Sequence, residues 1–153
     1  MSESTTNEPA AGESTTHRQG EPDSQKWLSG VISLIGLWMA VSPFVYPQAT
    51  AMLWNNLLIG SAIFLLAGYN YYRITTGHST STGVMSLVAL LALWMIVSQW
   101  AISGEVAMSG LEVAGTGLVW SNVLSGIVAA VLSAYIAYAG GRGVRAGTAA
   151  GAR

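Results

Sequence analysis

Leu37-Trp38-Met39-Ala40-Val41-Ser42-Pro43-Phe44 reads again as Leu93-Trp94-Met95-Ile96-Val97-Ser98-Gln99-Trp100, 56 residues further along the chain. A second match lies downstream of each copy. Trp54-x-Asn56-x-x-x-Gly60 aligns with Trp120-x-Asn122-x-x-x-Gly126 at an offset of 66, and at that offset Tyr69 meets Tyr135 and Tyr72 meets Tyr138. The ten-residue change of offset places an insertion between the two matched stretches of the second copy. The chain therefore reads as one helical hairpin used twice.

Charge decides where such hairpins sit. Only 8% of the 153 residues are charged, against 52% hydrophobic, whereas soluble domains carry about 25% charged residues. No charge occurs over the 46 residues between Lys26 and Arg73, the 31 between Arg73 and Glu105, or the 29 between Glu112 and Arg142. A bilayer core of roughly 30 Å takes about 20 helical residues to cross. Four apolar spans fit these blocks, at about Trp27–Tyr46, Ala51–Tyr72, Gly83–Ile102 and Leu118–Ala139. No period-two alternation supports a barrel, and backbone groups in lipid must bond within their own segment, so the spans are expected as helices. The expected fold is an all-α membrane protein with four transmembrane helices in two repeated hairpins. Because both copies start on the same side, the repeats are parallel, with a pseudo-twofold axis along the membrane normal.

The bases give the orientation. Arg18 and Lys26 precede the first span, Arg73 separates the second and third, and Arg142, Arg145 and Arg153 follow the fourth. The other two connections hold no Lys or Arg, so the positive-inside rule predicts a multi-pass protein of the cell membrane with both termini cytoplasmic. Glu105 and Glu112 are then expected outside. Residues 1–25 are too polar to offset their ordering entropy and read as a disordered acidic, Thr-rich tail. The membrane domain spans 26–142, with repeat one at 26–73 and repeat two at 82–141, and a flexible tail covers 143–153. Aromatic residues gather at span ends: Trp27, Tyr69, Tyr71, Tyr72, Tyr135 and Tyr138 at one interface, Phe44, Tyr46, Trp54, Trp100 and Trp120 at the other. That is the arrangement of interfacial belts.

These residues resemble the SPW-repeat family of small membrane proteins, named for Ser-Pro-Trp near the end of the first helix of each two-helix unit. The resemblance covers about residues 26–140. Both triplets depart from the pattern, one as Ser42-Pro43-Phe44 and the other as Ser98-Gln99-Trp100. Trp38, Trp94 and the Trp-x-Asn-x-x-x-Gly matches carry more of it. The resemblance implies an architecture and no activity.

Candidate residues follow from the repeat. Pro43 removes the amide that would bond the Met39 carbonyl and is expected to kink the first span. Asn56 and Asn122, placed near the outer ends of the second and fourth spans, are expected to cap those helices or to bond across to a partner helix. Ser42, Asn55, Asn56, Ser98, Gln99 and Asn122 together offer an outer polar cluster. Small residues at i, i+4 spacing (Ser29/Ser33, Gly36/Ala40, Gly126/Ala130/Ala134, with Gly60 and Gly68 equivalent in repeat one) suit close helix packing.

Several function classes drop out. Cysteine is absent and the two histidines, His17 and His78, are far apart, so neither a thiolate site nor an ordinary zinc site is expected. No catalytic group or cofactor is expected. A net charge of −1 gives no surface for nucleic acid. Spans without Asp, Glu, Arg or His argue against ion-coupled transport. The expectation is a non-catalytic scaffold or accessory subunit in the lipid bilayer, acting by helix packing with a second copy or a membrane-protein partner. The alternative is a small channel or permease for an uncharged solute that uses the outer polar cluster.

Overall fold

The computed structural model describes the backbone over residues 23–46, 48–107 and 115–150, and side chains over 23–46, 48–102 and 115–142. Four α-helices account for most of it: α1 (Asp23–Val41), α2 (Thr50–Thr75), α3 (Thr82–Ala107) and α4 (Thr116–Ala150), with a 3-10 turn at Ser42–Phe44 after α1. Each contains a stretch long and apolar enough to cross a membrane, at Asp23–Phe44, Thr50–Thr75, Thr82–Ile102 and Thr116–Arg142. The protein is a four-helix membrane protein. The helices outrun the expected spans because polar and glycine residues at their ends continue the backbone ladder past the apolar block. Thus α3 enters the expected 103–117 loop, and α4 continues through Ala150, where a flexible tail was expected from residue 143. Most of the 1–25 tail, and the side chains of Glu105 and Glu112, lie outside the described residues.

The helices pack as two pairs, α1 on α2 and α3 on α4, with thinner seams between α2 and α3 and between α1 and α4. Short connections make neighbours antiparallel. The near end of the bundle carries the start of α1 and the 76–81 loop. The far end carries the α1–α2 turn and the start of α4.

The inward faces follow the offsets found in the sequence. The buried residues of α2 are Met52, Asn56, Gly60, Ile63, Ala67 and Asn70. Adding 66 to each gives Leu118, Asn122, Gly126, Ala129, Ser133 and Ile136, all buried in α4. Their spacing of three and four is that of a coiled-coil seam. On the first helix of each pair, Ile32, Met39 and Ser42 are buried, and so, at an offset of 56, are Val88, Met95 and Ser98.

The pairs cross where glycine permits. A Cβ built on Gly36 would lie 2.5 Å from the Phe64 amide nitrogen, and one on Gly60 would lie 2.5 Å from that of Ala40. The equivalent crossing in repeat two sets Gly126 against the Ala92 carbonyl, 3.1 Å from its built Cβ, and Ile96, 2.8 Å away. Ala92 and Ile96 are the offset partners of Gly36 and Ala40, so the same crossing is made with bulkier residues.

Pro43 corrects one expectation. It does not kink a continuing helix but ends it: α1 stops at Val41 and Pro43 sits inside the 3-10 turn. Val45 and Tyr46 both donate to the Ser42 carbonyl, at 3.0 and 3.2 Å, which tightens the exit. The Met39 carbonyl, robbed of its usual donor, accepts from Ser42 Oγ at 3.1 Å. At Gln99, where an amide is available, α3 runs on to Ala107.

Candidate functional site

The far-end polar residues lie on four elements and are all neutral. Asn56 and Asn122 are fully buried. Neither caps its helix, because each stands six residues past the first helical position, too deep to reach the free amides. Instead Asn56 Nδ2 donates to Gln48 Oε1 at 3.4 Å, and Asn122 Nδ2 donates to Gln99 Oε1 at 3.5 Å. The Gln99 amide also donates to the Met95 carbonyl at 3.1 Å. Ser98 Oγ bonds that same carbonyl at 3.0 Å, as Ser42 does at Met39. The expected bond from Asn56 across to the Ser98 turn is made by its neighbour: Asn55 Nδ2 donates to Ser98 Oγ at 3.1 Å.

Two indoles tie one hairpin to the other. Trp94 on α3 donates Nε1–H to Asn55 Oδ1 on α2 at 3.0 Å. Trp38 on α1 donates to Ser121 Oγ on α4 at 2.9 Å. Trp38 and Trp94 are related by the 56 offset, and Asn55 and Ser121 by the 66 offset. Each repeat therefore sends its tryptophan to the same position of the other repeat.

Below this layer the interior is mainly apolar, interrupted by the buried Ser33, which donates to the Phe64 carbonyl at 3.0 Å, and Ser133. Ile32, Met39, Ile63, Met85, Val88, Ala92, Met95 and Ala129 form one buried cluster. At the near end a second polar network appears, which the sequence reading missed. Asn70, fully buried, donates to Ser29 Oγ at 2.9 Å and accepts from the Ser81 amide at 2.9 Å. Ser29 in turn donates to the Gln25 carbonyl at 2.9 Å, and Thr80 Oγ1 donates to Gln25 Oε1 at 2.8 Å. These bonds fasten the 76–81 loop over α1 and α2. Gln25, expected in the tail, is buried in the first turn of α1. The available signal was Asn70, a polar residue seven positions after Ile63 and fourteen after Asn56 on one helical face. Repeat two puts Met85 and Ile136 at the positions of Ser29 and Asn70, and both are fully buried.

The belt aromatics face outward except Tyr46, which is half-buried with its ring against Gly117 of α4. Trp27, Tyr69, Tyr71, Tyr72, Tyr135 and Tyr138 are exposed on the near half, and Phe44, Trp54, Trp100 and Trp120 on the far half. Arg73 lies 5.9 Å from the Tyr69 ring centroid, and Arg142 lies 4.7 Å from that of Tyr138. Amphipathic rings and snorkelling bases belong at headgroup depth.

Residues 26–136 match the model of the SPW repeat domain. The chain belongs to the SPW-repeat family. No curated protein and no solved structure matches it. In this SPW-repeat protein the first element of the namesake triplet, Ser42 or Ser98, bonds the carbonyl three residues back in both copies. The second element decides whether the helix stops, as at Pro43, or continues, as at Gln99. The third, Phe44 or Trp100, is exposed.

Proposed function

We propose that this SPW-repeat protein is a non-catalytic membrane scaffold or accessory subunit that acts through helix packing. One observation carries the reading: the polar side chains of its spans are spent mainly on one another, in bonds that join helices around an apolar middle. Such bonds organise a bundle and leave little polar surface for chemistry. The two hairpins are related by a pseudo-twofold axis along the membrane normal. The reciprocal pairs Trp38–Ser121 and Trp94–Asn55 and the matching inward faces of α2 and α4 support that relation. Both termini lie in the cytoplasm, as the positions of Lys26, Arg73 and Arg142 at the near end support.

A second reading, a small channel or permease for an uncharged solute, would use Asn56, Asn122 and Gln99. It is the weaker one, since a solute leaving those amides meets the Met39, Met95 and Ile63 layer, where it would give up every hydrogen bond.

The test is the mass of the particle extracted from native membrane into lipid nanodiscs without detergent. A homo-oligomer, or a fixed stoichiometric complex with another membrane protein, is expected. A bare monomer at native abundance would remove the basis for a scaffold.

A further inference from the structure

Hydrogen bonding at the far end leaves two acceptors over, and they occupy the same place in both repeats. Asn56 and Asn122 are each 0% exposed. Each uses its amide nitrogen on a glutamine carbonyl, and in each the carboxamide oxygen Oδ1 is buried with no partner. Beside the first, Gln48 Nε2 is likewise buried and unpartnered. Buried carbonyls in native folds nearly always find a donor, from protein or from an ordered small molecule. One orphan is an accident of packing. Two at positions related by the repeat offset are a built feature.

The groups state what they accept. Asn56 Oδ1 requires a donor and Gln48 Nε2 requires an acceptor, on two amides already joined by one hydrogen bond. A cation would satisfy the oxygen but face the amide protons of Gln48. An anion would do the reverse. A hydroxyl donates and accepts at once, so this one kind of group meets both needs. At the second seat Asn122 Oδ1 asks only for the donor, because Gln99 Nε2 is held by the Met95 carbonyl at 3.1 Å.

We propose that the far end of the bundle carries two seats for a small neutral hydroxyl, one on each buried asparagine carbonyl. The occupant is water or the hydroxyl of a small polyol. The inference goes beyond the scaffold reading and stands whether or not the protein has a partner.

Met52 supplies a reporter. It is fully buried one turn before Asn56 on the same face of α2, whereas Met85, equally buried, lies toward the near end. Radiolytic hydroxyl labelling of the full chain in nanodiscs oxidises buried methionines that adjoin ordered water. Leu118→Met carries the same reporter into repeat two. In parallel, thermal unfolding is followed against ethylene glycol and against 1,2-dimethoxyethane, which is of similar shape but has no donor.

A water-filled seat labels Met52 several-fold above Met85, loses that labelling in Asn56→Leu, and shows no solute preference. A polyol seat gives a saturable rise in unfolding temperature with ethylene glycol alone, absent from Asn56→Leu/Asn122→Leu. Should the Leu variants fail to fold, the wild-type comparisons of Met52 with Met85, and of glycol with its ether, still decide. Met52 labelled no more than Met85, with no difference between the two solutes, overturns the proposal.

Discussion

Trp94 and Asn55 are joined by an indole N–H to amide carbonyl bond of 3.0 Å that crosses from α3 to α2. Asn55 passes the connection back to α3, donating to Ser98 Oγ at 3.1 Å, so one amide clasps two residues a helical turn apart. An interhelical bond of this kind in a membrane is worth roughly 0.6–2 kcal/mol. Trp94→Phe, which leaves Asn55 Oδ1 unpaired, is expected to destabilise the bundle by about that amount. Trp38→Phe should do the same through Ser121. Trp100→Phe, the same exchange at an exposed ring with no such bond between helices, should cost about zero on the same reasoning. Steric-trap or SDS unfolding of the three variants checks the order.

Glycine replacements should rank by what a methyl group would meet. At Gly36 and Gly60 it meets backbone nitrogen at 2.5 Å, which cannot yield without parting α1 from α2. Overpacking of this sort costs about 1–3 kcal/mol or more. At Gly126 it meets the Ile96 side chain at 2.8 Å, which can turn aside, and at Gly30 only the Tyr71 ring at 3.5 Å. The expected order of loss for substitution to Ala is Gly36 and Gly60 first, then Gly126, then Gly30. Equal losses at Gly30 and Gly60 would show that the α1–α2 crossing is not as close as described.

The Ser29–Asn70 pair and its apolar counterpart Met85–Ile136 make a natural double-mutant cycle. Asn70→Ile alone takes the acceptor from the Ser81 amide and the donor from Ser29 Oγ, which keeps its own bond to the Gln25 carbonyl, and an unmet buried group costs about 1–3 kcal/mol. Adding Ser29→Met imports the repeat-two solution and should recover part of that loss. Unfolding free energies of the two single variants and the double variant give the coupling directly. Additive losses would mean that the two positions do not interact.

Orientation is open to a clean test because the chain contains no cysteine. A Cys at Ser79, in the 76–81 loop, should react with an impermeant maleimide only after the cells are opened. A Cys at Thr50, at the start of α2, should react in intact cells. The reverse pattern would place the termini outside.

How far the sequence reached can be judged from single residues. The spans and the repeat were legible because they depend on composition and on identities such as Leu37-Trp38-Met39, which survive without any knowledge of neighbours. Burial was not legible in the same way: Asn56 and Asn122 match at a fixed offset, but the match does not say which way they turn, and only the structure shows both facing inward. Nor were partners. Asn56 stands six residues into α2 and was already five past the start of the expected Ala51–Tyr72 span, so its depth, and not the one residue added at Thr50, rules out a cap. Whether Asn55 or Asn56 meets Ser98 depends on the rotation of α2, a shift of one residue that hydropathy does not resolve. Pro43 marked a break in either case, and only the 3-10 bonding to the Ser42 carbonyl separates an end from a kink. Asn70 escaped because its partners, Ser29 and the Ser81 amide, are 41 and 11 residues away and share no motif.

A scaffold of the proposed kind does not pass solute through its own bundle. Stopped-flow permeability of proteoliposomes to water, urea and glycerol tests it most directly. Rates equal to those of protein-free vesicles are expected for all three, unchanged in Asn56→Leu/Asn122→Leu. A rate well above the empty vesicle that falls in that double variant would contradict the scaffold reading.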